Sequence, residues 1–222
     1  VDWKDERWLL FQKKRTQWLS EFALWATDTV EKYKPGCAVE HQYSPIMHYW
    51  RFGVTENISK ASTYAGGDLY GGIAEQSFAC KLYYGVTRNQ PFEYMTSRCY
   101  PALSEHTTTK SEDLLRLGVM MTYLHHGACL LIVAIVPIGT LDRRVYERIG
   151  KIFKETEPYE KYLNTGRQAF DVALYYDLDG KYDVDQTPGR ADSDAASWSK
   201  MPMQEAILGA ARSLREHHIP YG

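Results

Sequence analysis

Long apolar runs are absent from this sequence, and their absence argues against a membrane-spanning helix. A span needs about 20 consecutive apolar residues, whereas the run at Cys129–Ile135 has only seven. An excess of charge of one sign is also lacking, because 26 Lys and Arg stand against 28 Asp and Glu. The basic residues are scattered singly, so the sequence predicts a soluble globular chain with neither a nucleic-acid partner nor a membrane partner.

Cysteine is scarce, and its placement argues against a disulfide framework or a metal site. The four cysteines are far apart, with no CxxC pair and no metal-ligand spacing: Cys37, Cys80, Cys99 and Cys129. We expect them to be small core residues. The glycine-rich segment YAGGDLYGG at 64–72 lacks the Walker lysine and does not match GxGxxG, so nucleotide binding is not predicted. The sequence thus predicts no metal and no organic cofactor.

The segment Ala128–Gly150 is the best-marked part of the chain. Its seven apolar residues predict a strand buried on both faces of a parallel sheet. A helix follows, with Thr140 as its expected N-cap and apolar residues at helical spacing. Ligands gather at the carboxyl ends of parallel strands, so the loop Val136–Leu141 is expected on the working face.

The same alternation of strands and helices extends along the chain and predicts an α/β fold. Helices are expected at 5–34, 73–84 and 111–127, and strands at 37–43, 60–64 and 90–99. Together with the strand and helix of 128–150, these make about four strand-and-helix units, which is half of a (β/α)8 barrel with two unpaired sheet edges. Beyond them, 169–177 alternates like a strand and 203–217 has the pattern of an amphipathic helix.

Several polar and aromatic residues follow the early predicted strands and are candidates for a site. Glu40 and His41 come directly after apolar residues of the first strand; either is a site residue or a hydrogen-bonded strand-end residue. Trp50 and Arg51 lie in a long loop that could roof a substrate pocket or pack as an Ω-loop. Tyr64 opens the glycine-rich segment, in which Asp68 could bind a sugar hydroxyl, cap the next helix or brace the loop.

Glu93 is the strongest catalytic candidate. It is predicted near the carboxyl end of its strand, with Arg98 close enough in sequence to hold its carboxylate ionised. A glutamate in that position suits a nucleophile or general acid in glycosidic bond cleavage, which needs two carboxyl groups. A structural salt bridge is the competing interpretation. His106, in the next loop, could reach the same site.

The order of these motifs resembles a family. PFEYM, a helix, AIVPIGTLDRRVYERIG and DVALYYD resemble the closing half of the barrel in bacterial glycoside hydrolases related to α-L-fucosidases and family 42 β-galactosidases. The tail, with EAILGAARSLREHHIPYG, resembles the start of the flavodoxin-like domain that mediates trimer formation in the galactosidase group. The resemblance implies two parts: 1–166, the C-terminal part of a barrel domain, and 167–222, the start of a flavodoxin-like domain.

The resemblance also implies a function. It points to a glycoside hydrolase acting on a carbohydrate substrate through carboxylate acid/base catalysis, with retention of configuration. In the galactosidase scheme Glu93 is the nucleophile; in the fucosidase scheme the acid/base is sought among Glu40, Asp68 and Glu93. Either scheme places part of the barrel before this chain, so the partner is expected to be a second copy or a complementing chain. The alternative is a carbohydrate-binding or assembly subunit without catalysis.

Overall fold

Three parallel strands lie side by side in chain order and form the sheet of this protein: β1 (Gly66–Asp68), β2 (Phe92–Ser97) and β3 (Gly127–Ile132). The computed structural model describes residues 5–47, 52–101, 103–134, 138–163, 165–177 and 202–222. Gln42 forms an isolated parallel bridge to Gly66, so the segment predicted as a strand at 37–43 lies beside β1 but is joined to the sheet only by this bridge. The α/β class with a parallel sheet is therefore confirmed.

Five α-helices accompany the sheet in the described part of the chain: α1 (Glu6–Tyr33), α2 (Ile73–Val86), α3 (Glu112–Leu124), α4 (Arg143–Thr156) and α5 (Pro202–Glu216). Short 3-10 helices occupy Ser44–Met47, Glu56–Lys60 and Glu157–Tyr162. The predicted cap Ser111 accepts a hydrogen bond from the Leu114 N–H. Thr140 is not the cap of α4, because Asp142 holds that position and accepts from the Arg144 N–H.

The two faces of the sheet differ. Side chains alternate between faces along a strand, and paired residues of parallel strands point the same way. Phe92 and Tyr94 are fully buried, and the Phe92 ring lies 6.2 Å from that of Tyr83 on α2. Glu93 between them is only half-buried and belongs to the opposite face. The helices α2 and α3 therefore cover one face, and the other carries the carboxyl groups.

The predicted strand at 60–64 is wrong. Residues up to Lys60 form a 3-10 helix, and β1 instead lies within the glycine-rich segment. Crowding explains why glycines form this strand. A Cβ on Gly67 would lie 2.5 Å from Gln42 Oε1, 2.6 Å from the Ser44 backbone nitrogen and 2.7 Å from the Tyr83 hydroxyl. Only a residue without a side chain lets these three groups approach so closely.

The prediction that the apolar strand is buried on both faces is also wrong. β3 begins at Gly127, and the Leu130 side chain is 40% exposed. Cys129, on the helix-facing side, packs against the buried cluster of Leu115, Val119 and Ile152. Within the described part of the chain, helices cover only that side. The expected working loop lies partly outside the described residues, which exclude 135–137.

The bounds of α1 agree with the prediction to within one residue, but most of its aromatic side chains are exposed. Trp18 is 52% exposed, and Phe22 and Trp25 are 64% exposed, although their spacing is that of a core-facing stripe. The buried residues of α1 are Gln12 and Ala23. We call the exposed set Phe11, Trp18, Phe22 and Trp25 the α1 aromatic face.

The tail forms a small parallel pair with α5 between its two members. Val172 bridges Tyr221, and backbone hydrogen bonds run from Leu174 N to Gly222 O and from Gly222 N to Val172 O. A single bridge replaces the predicted strand at 169–177. None of the helices described is both long enough and apolar enough to cross a membrane.

Candidate functional site

The prediction that Glu93 lies near the carboxyl end of its strand is wrong. It is the second residue of the six in β2, and its Cα pairs with Gly66 on one side and Ala128 on the other. The displacement arises because the strand continues through MTS after the acid. Its side chain nevertheless belongs to the face of the sheet that the described helices leave open.

Glu40 and Asp68 lie on the same face as Glu93. A Cβ on Gly66 would be 3.1 Å from Glu40 Cγ, 3.2 Å from Glu40 Oε1 and 3.1 Å from Glu93 Cβ. The missing side chain of Gly66 thus makes room for two carboxyl-bearing side chains next to each other. Asp68, at the carboxyl end of β1, accepts a 2.9 Å hydrogen bond from Gln42 Nε2. We call Glu40, Asp68 and Glu93 the carboxyl cluster.

The surroundings raise the pKa of two carboxyl groups of the cluster, those of Glu40 and Glu93. Burial, followed by repulsion from Glu93 and Asp68, raises the pKa of Glu40 to about 7. Burial also raises the pKa of Glu93. Glu40 Oε1 is buried and has no hydrogen-bond partner within the described residues. A carboxyl group with a pKa of about 7, as Glu40 has, can hold a proton near neutral pH, which is what a general acid requires.

The fold is similar to part of an α-L-fucosidase. The solved structure is described as alpha-L-fucosidase isoenzyme 2 from Paenibacillus thiaminolyticus, and it matches with a TM-score of 0.65 at 22% sequence identity. The match covers 91% of this chain but only 28% of that chain. No protein-family model matches the sequence, and no curated protein matches it either. At this identity the likeness concerns the fold alone and assigns no role to the carboxyl cluster.

Arg98 does not pair with Glu93, so that prediction is wrong. Its guanidinium donates to the His106 carbonyl at 2.7 Å and to Thr109 Oγ1 at 2.9 Å. Arg98 therefore fixes the loop after β2, and the pKa of Glu93 rises through burial instead of falling beside a cation. His106 takes part through its backbone, while its side chain is exposed.

The remaining predicted residues divide into three groups. Tyr64 lies near the cluster, since burial and the charges of Glu93 and Glu40 raise the pKa of its phenol. His41 faces the helices, where its Nε2 is 2.8 Å from Thr27 Oγ1 on α1. Trp50 and Arg51 lie outside the described residues.

Sequence reasoning missed Gln42 and Tyr70. Gln42 binds Asp68 directly, and burial together with hydrogen bonding to Asp68 raises the pKa of the Tyr70 phenol. The alternation of strand residues could have indicated Gln42, which is two positions from Glu40 and so shares its face. Across the described ranges, no group of three His, Cys, Asp or Glu side chains could hold a metal ion.

Proposed function

We propose that this protein contributes the carboxyl cluster to the active site of a glycoside hydrolase. The observation that supports this is the placement of Glu40 and Glu93 side by side at Gly66, on the open face of a parallel sheet. Glycoside hydrolysis needs two carboxyl groups, one to donate a proton and one to act as nucleophile or base. The fold similarity to an α-L-fucosidase agrees with this reaction class.

The two carboxyl groups take different roles in this proposal. Glu40, with its pKa raised to about 7, donates the proton to the leaving-group oxygen. Glu93 carries the negative charge and attacks the sugar as nucleophile. Asp68, held by Gln42, binds a hydroxyl of the sugar. Close carboxyl groups, about 5 to 5.5 Å apart, are typical of cleavage with retention of configuration, and we propose retention here.

Activity should fall as the pH rises through the pKa of Glu40. The general acid must be protonated, so turnover is expected to be high below about pH 7 and to decline above it. The assay measures kcat against pH with phenyl α-L-fucoside and phenyl β-D-galactoside, which match the two enzyme classes that the sequence resembles and whose phenolate leaves poorly unless it is protonated. Glu40→Gln should lower kcat on a substrate with a poor leaving group about a hundredfold or more and abolish the alkaline decline.

Other results would reject the proposal. Sugar binding in calorimetry without hydrolysis of either aryl glycoside would favour a carbohydrate-binding subunit instead. An alkaline decline that persists in Glu40→Gln would remove Glu40 from the acid role.

We further propose that a second copy of the chain covers the α1 aromatic face and the open sheet edges. Four aromatic side chains about half exposed offer roughly 400 Å² of apolar surface, and patches of this size on a soluble protein mark interfaces. Parallel sheet edges are normally paired or covered. The match covers 28% of the fucosidase chain, which therefore has further structure beyond the part that this chain resembles. We propose that additional β/α units cover the same surfaces here, and a second copy of this chain would supply such units.

Sedimentation tests this interface. The isolated chain is expected to form a discrete oligomer instead of a 25.6 kDa monomer. The double substitution Phe22→Gln and Trp25→Gln should weaken association at least about tenfold, because exposed aromatics carry much of an interface's binding energy. Leu124→Gln, at an 80% exposed position on α3, is the matched control and should leave association unchanged. A monomer at every concentration, or a heteromer only, would exclude the second copy.

A further inference from the structure

A cavity lies on the face of the sheet that α2 and α3 cover. It has a volume of about 220 Å³ and is lined by the start of α2, by β2, by α3 and by the loop after β2. Thr96 in its wall alternates with Glu93 and Met95 along β2, so it points away from the carboxyl cluster. The cavity therefore lies on the other side of β2 from Glu93, although Tyr70, which hydrogen-bonds to Asp68, is among its wall residues. The inference about its occupant does not rest on the proposed hydrolase activity.

Lys110 supplies the only positive charge among the residues that line this cavity. Its side chain is half-buried, and its Nζ lies 3.5 Å from Thr96 Oγ1. In the part of the chain that the structure describes, no carboxylate lies within ion-pair distance of Lys110. Burial lowers the pKa of this ammonium group. A half-buried cation without a counter-ion favours an anionic ligand.

Gln76 supplies a buried hydrogen-bond acceptor to this cavity. Its side chain is only 6% exposed, and its Nε2 donates to the Gly71 carbonyl at 2.8 Å. Its Oε1 is buried, has no hydrogen-bond partner among the residues that the structure describes, and faces Gly118, another wall residue of the cavity. Buried acceptors are nearly always paired in folded proteins, so this oxygen calls for a donor such as a ligand hydroxyl.

Apart from the phenols of Tyr70 and Tyr100, the remaining walls are mostly apolar, and the volume that they enclose limits the size of the occupant. Leu114, Leu115 and Leu131 contribute to them. At about 30 Å³ for each water molecule, 220 Å³ holds about seven waters, which is less than the 300 to 1,000 Å³ of sites for drug-sized ligands. The occupant is thus a single small molecule.

We propose that this cavity binds a small hydroxycarboxylate. Its carboxylate lies at the Lys110 ammonium and the Thr96 hydroxyl, and its hydroxyl donates to Gln76 Oε1. Its carbon chain lies against the leucine side chains. A simple carboxylate leaves Gln76 Oε1 without a donor, and a neutral polyol leaves the charge of Lys110 without a counter-ion. Discrimination between these three ligand types is therefore the property that defines the site.

Calorimetry on the purified protein with three matched probes tests the proposal. D-glycerate carries both a carboxylate and hydroxyls, propionate lacks the hydroxyls, and glycerol lacks the carboxylate. We expect D-glycerate to bind at least about tenfold more tightly than either of the others, the difference that one buried hydrogen bond produces. Equal affinity for all three probes, or no binding of D-glycerate, would overturn the proposal.

Substitution of the cation provides an independent check. Lys110→Met keeps the length and apolar part of the side chain and should weaken D-glycerate binding at least about tenfold, since it removes a charge-assisted hydrogen bond. Lys154→Met, at an exposed position in the last turn of α4, is the matched control and should bind as the unsubstituted protein does. Circular dichroism and thermal unfolding establish that both variants fold. Unchanged affinity in folded Lys110→Met would reject the site.

Discussion

Glu93→Gln is expected to lower kcat for an aryl glycoside at least about a thousandfold. The substitution keeps the shape of the side chain but removes the carboxylate that attacks the sugar, and the loss of a nucleophile cannot be compensated by the remaining groups. It should also lower the pKa of Glu40, because repulsion from Glu93 is one of the causes that raise it. The pH above which any residual activity declines should therefore move down.

The control for Glu93 is a glutamate outside the carboxyl cluster. Glu147 is exposed on α4, and Glu147→Gln should leave both kcat and the pH profile unchanged. Turnover by Glu93→Gln within a few-fold of normal would exclude Glu93 from the catalytic chemistry. A large loss of kcat with an unchanged pH profile would show that the charge of Glu93 does not influence the pKa of Glu40.

Gly67→Ala is expected to destabilise the protein by about 3 kcal/mol, the upper part of the range for overpacking a buried site. The added methyl group would lie 2.6 Å from the Ser44 backbone nitrogen and 2.7 Å from the Tyr83 hydroxyl. Because one of these contacts is backbone, a side-chain rotation cannot relieve both, and β1 must move away from the chain that precedes it. Urea unfolding followed by circular dichroism measures the change in the free energy of unfolding.

Gly85 offers a matched glycine within α2. A Cβ there would meet nothing within 4 Å, so Gly85→Ala should stabilise the protein by about 0.5 to 1 kcal/mol through helix propensity. Opposite signs for the two variants would attribute the loss at Gly67 to crowding. Equal effects would show instead that both positions respond only through backbone entropy.

The helices were predictable because their signals are local. The spacing of apolar residues and the caps defined α2 and α3 to within a few residues, and Ser111 caps α3 as expected. The order of parallel strands followed from the helices between them, since parallel neighbours need a crossover connection. The location of β1 was not predictable, because its glycines are selected by the close approach of Tyr83 and Ser44, which are distant in sequence.

The site was only partly predictable for a related reason. The resemblance to α-L-fucosidases named Glu40, Asp68 and Glu93 as candidate acids, but the partner of Arg98 depends on the path of the loop after β2. That loop brings backbone carbonyls to the guanidinium, and no pattern in the sequence announces this. The exposure of the α1 aromatic face was equally unpredictable, because periodicity identifies an apolar face without identifying what covers it.

Hydrogen bonds between the tail and the segment before the sheet determine where the chain can be truncated without loss of stability. The Tyr176 hydroxyl donates to the Ile46 carbonyl, and the fully buried Gln204 donates to the Met47 carbonyl at 3.1 Å. Ending translation near residue 166 would remove both of these donors, at a cost of about 1 kcal/mol for each hydrogen bond lost. Truncation or fusion at that junction would therefore destabilise the part of the molecule that carries the carboxyl cluster, although the sequence resemblance assigns the tail to a separate domain.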